Sequence, residues 1–299
     1  SLYYPLALIV AIIADILVGI YIAPKMQRKN FKGVGDMLSV HYGNAGRFIG
    51  GMSNICTSIS YMTVQLCCAA YILQFFLGFT YKAGLSISYA VVVIYSMIGG
   101  IRSIFINHFF QFLAIIFSIP IITVIAGMHL IQSGELSQVM DLSSYQTHNF
   151  NMNFFIAIIS FSLMGINPPL IQRITLSDDI NTIKQAIYLK SFFYLLLVIA
   201  ITINGLFAKI LFPNINPWQA MPYMIDYIIP IGFKSIVIIG LLATVISTAD
   251  ADLNIASTAC INDLLVLFDN KENNKVKLII ARIFTILLSI ISIFLSFYF

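Results

Sequence analysis

Residues 241–254 read LLATVISTADADLN, three hydroxyl side chains and two aspartates inside an apolar run that extends from 231 to 266. About 20 apolar residues suffice to cross a bilayer as helix, and a charge placed at that depth costs several kcal/mol. At 100° per residue, Thr244, Ser247, Thr248 and Ala251 fall within an arc of roughly 100°, with Asp252 at one margin and Asn254 at the other. A small hard cation such as sodium needs several oxygens to replace its water. Two hydroxyls one residue apart, with a backbone carbonyl one turn earlier, offer three. The competing reading is that the hydroxyls bond back to carbonyls of their own helix or join neighbouring helices; spacing alone favours it. Asp250 lies beyond Ser247 toward the inside, where it serves as a remote attractor of cations or a vestibule group more readily than as a proton carrier. Asp250 and Asp252 point about 200° apart on a helix and cannot share a proton, which argues against an intramembrane aspartyl protease.

The rest of the chain has the same character. Of 299 residues, 60% are hydrophobic and 9% charged, where a soluble domain carries about 25% charged residues. Lipid must therefore cover most of the surface. The net charge of +4 comes from loops between apolar runs, without an aromatic and basic patch, so no nucleic-acid partner is expected. Cys56, Cys67, Cys68 and Cys260 lie in apolar runs without ligand spacing, and the four histidines are scattered. No cofactor and no metal other than sodium is expected.

Eight apolar runs emerge, at 3–23, 47–78, 83–100, 105–132, 152–170, 186–212, 231–266 and 277–298, each expected to be a helix. With the first crossing starting outside, loops 24–46, 101–104, 171–185 and 267–276 fall in the cytoplasm. On or near those ends sit 13 of the 16 basic residues, Lys25, Arg47, Arg102, Arg173, Lys190 and Arg282 among them, leaving Lys82, Lys209 and Lys234 outside. Segment 133–151 has no Lys or Arg, as the positive-inside rule asks of an external loop. Segment 213–230, with Trp218, Tyr223 and Tyr227, is too polar to span and is read as an external interfacial hairpin, either capping a vestibule or forming an aromatic belt. The expectation is a single transmembrane domain over 1–299: a multi-pass integral membrane protein of a bacterial-type plasma membrane, with the bilayer as its first partner. The chain opens on Ser1 without a leader pattern, as a piece of a longer protein does.

Other polar residues interrupt the runs. Asp15 sits in the middle of the first. Gln65, at mid-depth in the second, needs a hydrogen-bond partner, either a solute or another helix. Pro168 and Pro169 close the fifth.

Four stretches, in order, resemble the sodium:solute symporter family. GDMLSVHYGNAGR at 35–47 resembles the lead-in to its third core helix, and GGIRSIFINHFFQ at 99–111 its GG…Asp…Gln pattern. PPLIQRITLSDD at 168–179 resembles its Gln-Arg motif, and GLLATVISTADADLN at 240–254, with Asn262 and Asp263, its A-x-x-S-T-A-D-S segment. The resemblance covers most of the chain. It implies an all-α fold of the leucine-transporter type, a five-plus-five inverted repeat with the substrate at mid-membrane, in which the eight runs correspond to core helices two to nine.

By that likeness the Thr244 carbonyl and the Ser247 and Thr248 hydroxyls hold sodium as the coupling ion. Asp250, Asp252 and His108 mark a candidate cation pathway, and Gln65 lies on a helix that helps line the substrate cavity. His108 stands where the family usually has aspartate, and His41 replaces a common arginine. The first core helix, which supplies further sodium ligands and much of the solute site, is expected from the full-length chain. The activity implied is sodium-coupled import of a small organic solute by alternating access, not an enzymatic reaction. The alternative is a transporter-like sensor portion of a signalling protein.

Overall fold

The computed structural model describes residues 3–28, 31, 33–137, 152–163, 170, 174, 179–267 and 274–298. Helix α1 (Tyr3–Leu17) runs through a π turn (Val18–Ile22) into α2 (Ala23–Arg28). It is followed by α3 (Val34–Leu77), α4 (Tyr81–Ser133), α5 (Met152–Leu163), α6 (Ile180–Leu211), α7 (Ala220–Ile228), α8 (Ile231–Ala259) and α9 (Asn274–Ser296). Among the described residues the elements are all helical, as a backbone that must satisfy its own polar groups in hydrocarbon requires. Large apolar side chains point outward: Ile131 is 63% exposed, Phe294 61% and Ile231 86%. Lipid, not water, is the solvent such a surface fits.

Six described stretches are long and apolar enough to cross a membrane: Pro5–Met26, Val34–Leu77, His108–Ser133, Ile180–Leu211, Ile231–Leu267 and Val276–Ser296. The shorter Tyr81–Ile94 and the α5 helix correspond to the third and fifth predicted runs. Two expected boundaries differ. The loop at 101–104 is helical, inside an unbroken α4 that also contains Pro120. Most of 24–46 is helical too: Pro24 follows directly on the π turn, at the second residue of α2, and α3 begins at Val34. Segment 213–230 holds a 3-10 turn (Pro217–Gln219) leading into α7. Polarity marks where water begins, whereas helices continue past the interface wherever their residues allow it. Loop 133–151 is described only to residue 137, and 171–185 chiefly from 179 onward.

The chain divides into two compact units. The first comprises 1–22, 113–167 and 179–241. Within it α1 packs on α5 and α6, and Ala7, Ala11 and Ile12 are buried together with Ile183, Ile187 and Val198. At Gly19 a Cβ would lie 2.9 Å from Ile187 Cδ1, so glycine lets the two helices approach. Polar contacts add to this packing: Asp15 of α1 pairs with Lys190 of α6, and the Asn204 amide of α6 donates to the Ile119 carbonyl of α4 at 3.4 Å.

The second unit comprises 23–112, 168–178 and 242–299. Its core brings Ile55, Met62 and Leu66 of α3 against Leu85 and Val92 of α4, Leu253 of α8 and Leu288 of α9. Helix α3 bends at Gly43, whose φ of 60° and ψ of −149° break the helical pattern, and it ends at Gly78, where φ 70° forms a left-handed cap. The Thr63 hydroxyl donates to the Ser292 carbonyl, and the Ser296 hydroxyl to the Thr63 carbonyl, each at 3.5 Å, fastening α9 to α3.

Candidate cation site

The hydroxyl stripe lies on the α8 stretch that belongs to the second unit. The Ser247 and Thr248 hydroxyls both donate to the Thr244 carbonyl, each at 2.9 Å. Three oxygens are thereby gathered on one turn, with both hydroxyl protons turned toward the carbonyl and the oxygen lone pairs turned away from it. Ser247 is buried at 7% exposure, and Thr244 and Thr248 are half-buried. The back-bonding weighed as an alternative is thus present, and it orients the same oxygens that a cation would use.

Asp250 is 1% exposed and accepts a hydrogen bond from the Ser96 hydroxyl of α4. Asp252 is 4% exposed and lies near enough to Tyr61 of α3 to act electrostatically on its phenol. His108 is half-buried on α4.

Gln65 is half-buried on α3. Lower on the same helix, Gly51 meets Asp263, where a Cβ would stand 2.7 Å from Asp263 Cβ. Asn54, Ser58, Tyr61 and Gln65 recur at i, i+4, i+7 and i+11, a polar stripe along α3.

The inner end of α8 holds a joint that sequence reasoning overlooked. After Ala259 the helix opens into a π turn, Cys260–Leu264, a form that often marks functional sites. Asp263 in that turn is fully buried and accepts the Gly35 N–H at 3.3 Å, while its Oδ1 has no hydrogen-bond partner among the described residues. A Cβ at Gly35 would come within 2.5 Å of Asp263 Cγ, so only glycine fits there. Arg47 donates to the Asn262 carbonyl at 3.4 Å and also pairs with Asp36. The GD of 35–36, Arg47 and the ND of 262–263 are all visible as motif residues; their convergence is not. In the first unit, Asp15 stands out in the sequence, whereas its partner Lys190 reads there as a residue of the cytoplasmic end.

A family model described as the sodium:solute symporter family matches residues 4–298. The chain belongs to the sodium:solute symporter family. Among curated relatives, the osmoregulated proline transporter OpuE of Bacillus subtilis is 24% identical over 232 residues, covering 73% of this chain and 47% of the relative. The human sodium/myo-inositol cotransporter is 25% identical over 142 residues, covering 42% of this chain and 20% of the relative. This family member spans about half the length of the proline transporter it matches. A solved Na+-coupled sialic acid symporter, in a substrate-bound outward-open state, superposes with a TM-score of 0.80 at 16% identity, covering 98% of this chain and 67% of that one. The likeness establishes the fold: an integral membrane α-helical architecture of the five-plus-five inverted-repeat type, of which this chain is a large part.

Proposed function

We propose that the full-length protein carries out sodium-coupled import of a small organic solute across a bacterial-type plasma membrane, and that Thr244, Ser247 and Thr248 hold the coupling sodium. The convergence of both hydroxyls on the Thr244 carbonyl carries this reading, because it places three oxygens on one turn at membrane depth. Membership of the family supports it, and so do relatives whose names specify proline and myo-inositol transport.

Coupling requires that sodium bind one conformation better than the other. In this reading the remaining ligands come from the first core helix of the complete chain. Asp250 and Asp252 attract the cation from the inner side, with His108 on the same route. Gln65, half-buried on α3, presents its amide to the solute.

The test is uptake of labelled solutes by the full-length protein in liposomes, with and without an inward sodium gradient, for the wild type and the Ser247→Ala/Thr248→Ala double variant. Sodium-stimulated uptake is expected in the wild type, and at least tenfold weaker sodium activation in the double variant. Unchanged sodium stimulation in the double variant would overturn the assignment.

A further inference from the structure

We propose that Asp252 is a second ion-binding point, one helical turn inward of Thr248, and that the ion it takes up is a proton. The argument begins with its surroundings. Asp252 is 4% exposed, yet it has no hydrogen bond or ion pair among the described residues. Ala249 and Ala256, just above and below it on the same face of α8, belong to the apolar core with Leu253 and Met62. An ionised carboxylate enclosed in this way, at membrane depth, is strongly disfavoured unless a positive charge neutralises it.

The neighbours decide which charge. Sodium needs five or six oxygens to replace its hydration shell. From α3 the group that acts on Asp252 is the Tyr61 phenol. Among the described side chains of α4, the titratable ones packed at the core are Tyr81 and Tyr89. Helix α9 contributes Leu288, Phe284 and Ile293, none of them ionisable. On α8 itself, Asp250 points away and is engaged by Ser96, and Cys260 lies two turns further in. Among the described residues one phenol cannot complete a sodium shell, whereas a proton needs only one carboxylate lone pair.

A proton on Asp252 removes a negative charge one turn, about 6 Å, from Thr248. At an effective dielectric constant near 20, that charge changes sodium affinity at the stripe by about a hundredfold. Protonation therefore weakens sodium binding, and deprotonation strengthens it.

The experiment uses the full-length protein in liposomes and measures sodium half-saturation of uptake across pH, for wild type, Asp252→Asn and Asp252→Glu. In the wild type, half-saturation should rise about a hundredfold as pH falls. In Asp252→Asn it should be independent of pH and equal to the wild-type value at low pH, and Asp252→Glu should restore the dependence. A pH dependence in Asp252→Asn identical to the wild type, or half-saturation pinned at the wild-type high-pH value, would overturn the proposal.

This readout rests on the sodium-coupled reading, so a second one does not. Infrared difference spectra on acidification should show a protonated-carboxyl band in the wild type that is missing from Asp252→Asn. Identical spectra would reject proton binding at Asp252 even if uptake proved independent of sodium. An intact band alongside sodium-independent uptake would reject the sodium assignment alone.

Discussion

The Asp15–Lys190 pair permits a double-mutant cycle whose outcome can be worked out in advance. The two residues lie on α1 and α6 of the same unit, and their side chains are 9% and 41% exposed respectively. Removing one partner of an enclosed ion pair costs about 3–5 kcal/mol, because the other charge is left without compensation. Lysine's open side and long stem let its ammonium reach toward the interface, so Asp15→Ala should cost less, about 2 kcal/mol. Lys190→Met leaves the more enclosed charge stranded and should cost about 3 kcal/mol. Removing both should cost about 1 kcal/mol or less, since neither charge then lacks a partner. The coupling is therefore about 4 kcal/mol. At about 2–4 °C per kcal/mol, Lys190→Met should lower the melting temperature of the purified full-length protein by about 6–12 °C. The double variant should recover most of that loss. Additive losses in the double variant, measured by thermal melts in detergent, would show that the pair does not couple α1 to α6.

Two further tests probe the backbone. Gly35→Ala drives a methyl to within 2.5 Å of Asp263 Cγ and should destabilise the protein by about 1–3 kcal/mol, whereas Gly78→Ala meets nothing within 4 Å and pays only for its φ of 70°, about 1 kcal/mol. Equal melting temperatures for the two variants would refute the crowding argument. Asp179 caps α6 by accepting from the Asn181 and Thr182 backbone N–H groups at 3.2 and 3.0 Å, with the Thr182 hydroxyl at 2.7 Å, and these bonds hold its carboxyl below its usual range. Its contribution is therefore present at neutral pH, above the unfolded value, and lost as pH falls through the lowered folded value. Asp179→Ala should narrow the stability gap between neutral and acidic buffer, and an unchanged gap would remove the cap from the account.

Much of this architecture could be read in the chain because lipid imposes a single backbone solution, and because charge at depth is rare enough that each aspartate stands out. Thr244, Ser247 and Thr248 sit together because helical periodicity puts them there, and no tertiary knowledge was required. Partners distant in sequence were a different matter. Lys190 follows Tyr188 and Leu189 like any residue near an inner end, and only the packing of α6 on α1 brings it to Asp15. Asp263 meets Gly35 across 228 positions because a π turn redirects the end of α8, and such a turn has no periodic signature. The loop boundaries at 24–46 and 101–104 went astray for a simpler reason. Polarity reports where water begins, not where a helix stops.

The shared carbonyl at Thr244 has a bearing on how quickly an ion could come and go. Because folding alone has already aimed both hydroxyl protons at one acceptor, an arriving cation would meet electron pairs and no outward hydrogen, with no side-chain rotor to turn first. A valine at 248 would keep the shape and lose the oxygen, a serine there would keep the oxygen and lose a methyl, and the difference between the wild type and the valine variant would measure the oxygen alone.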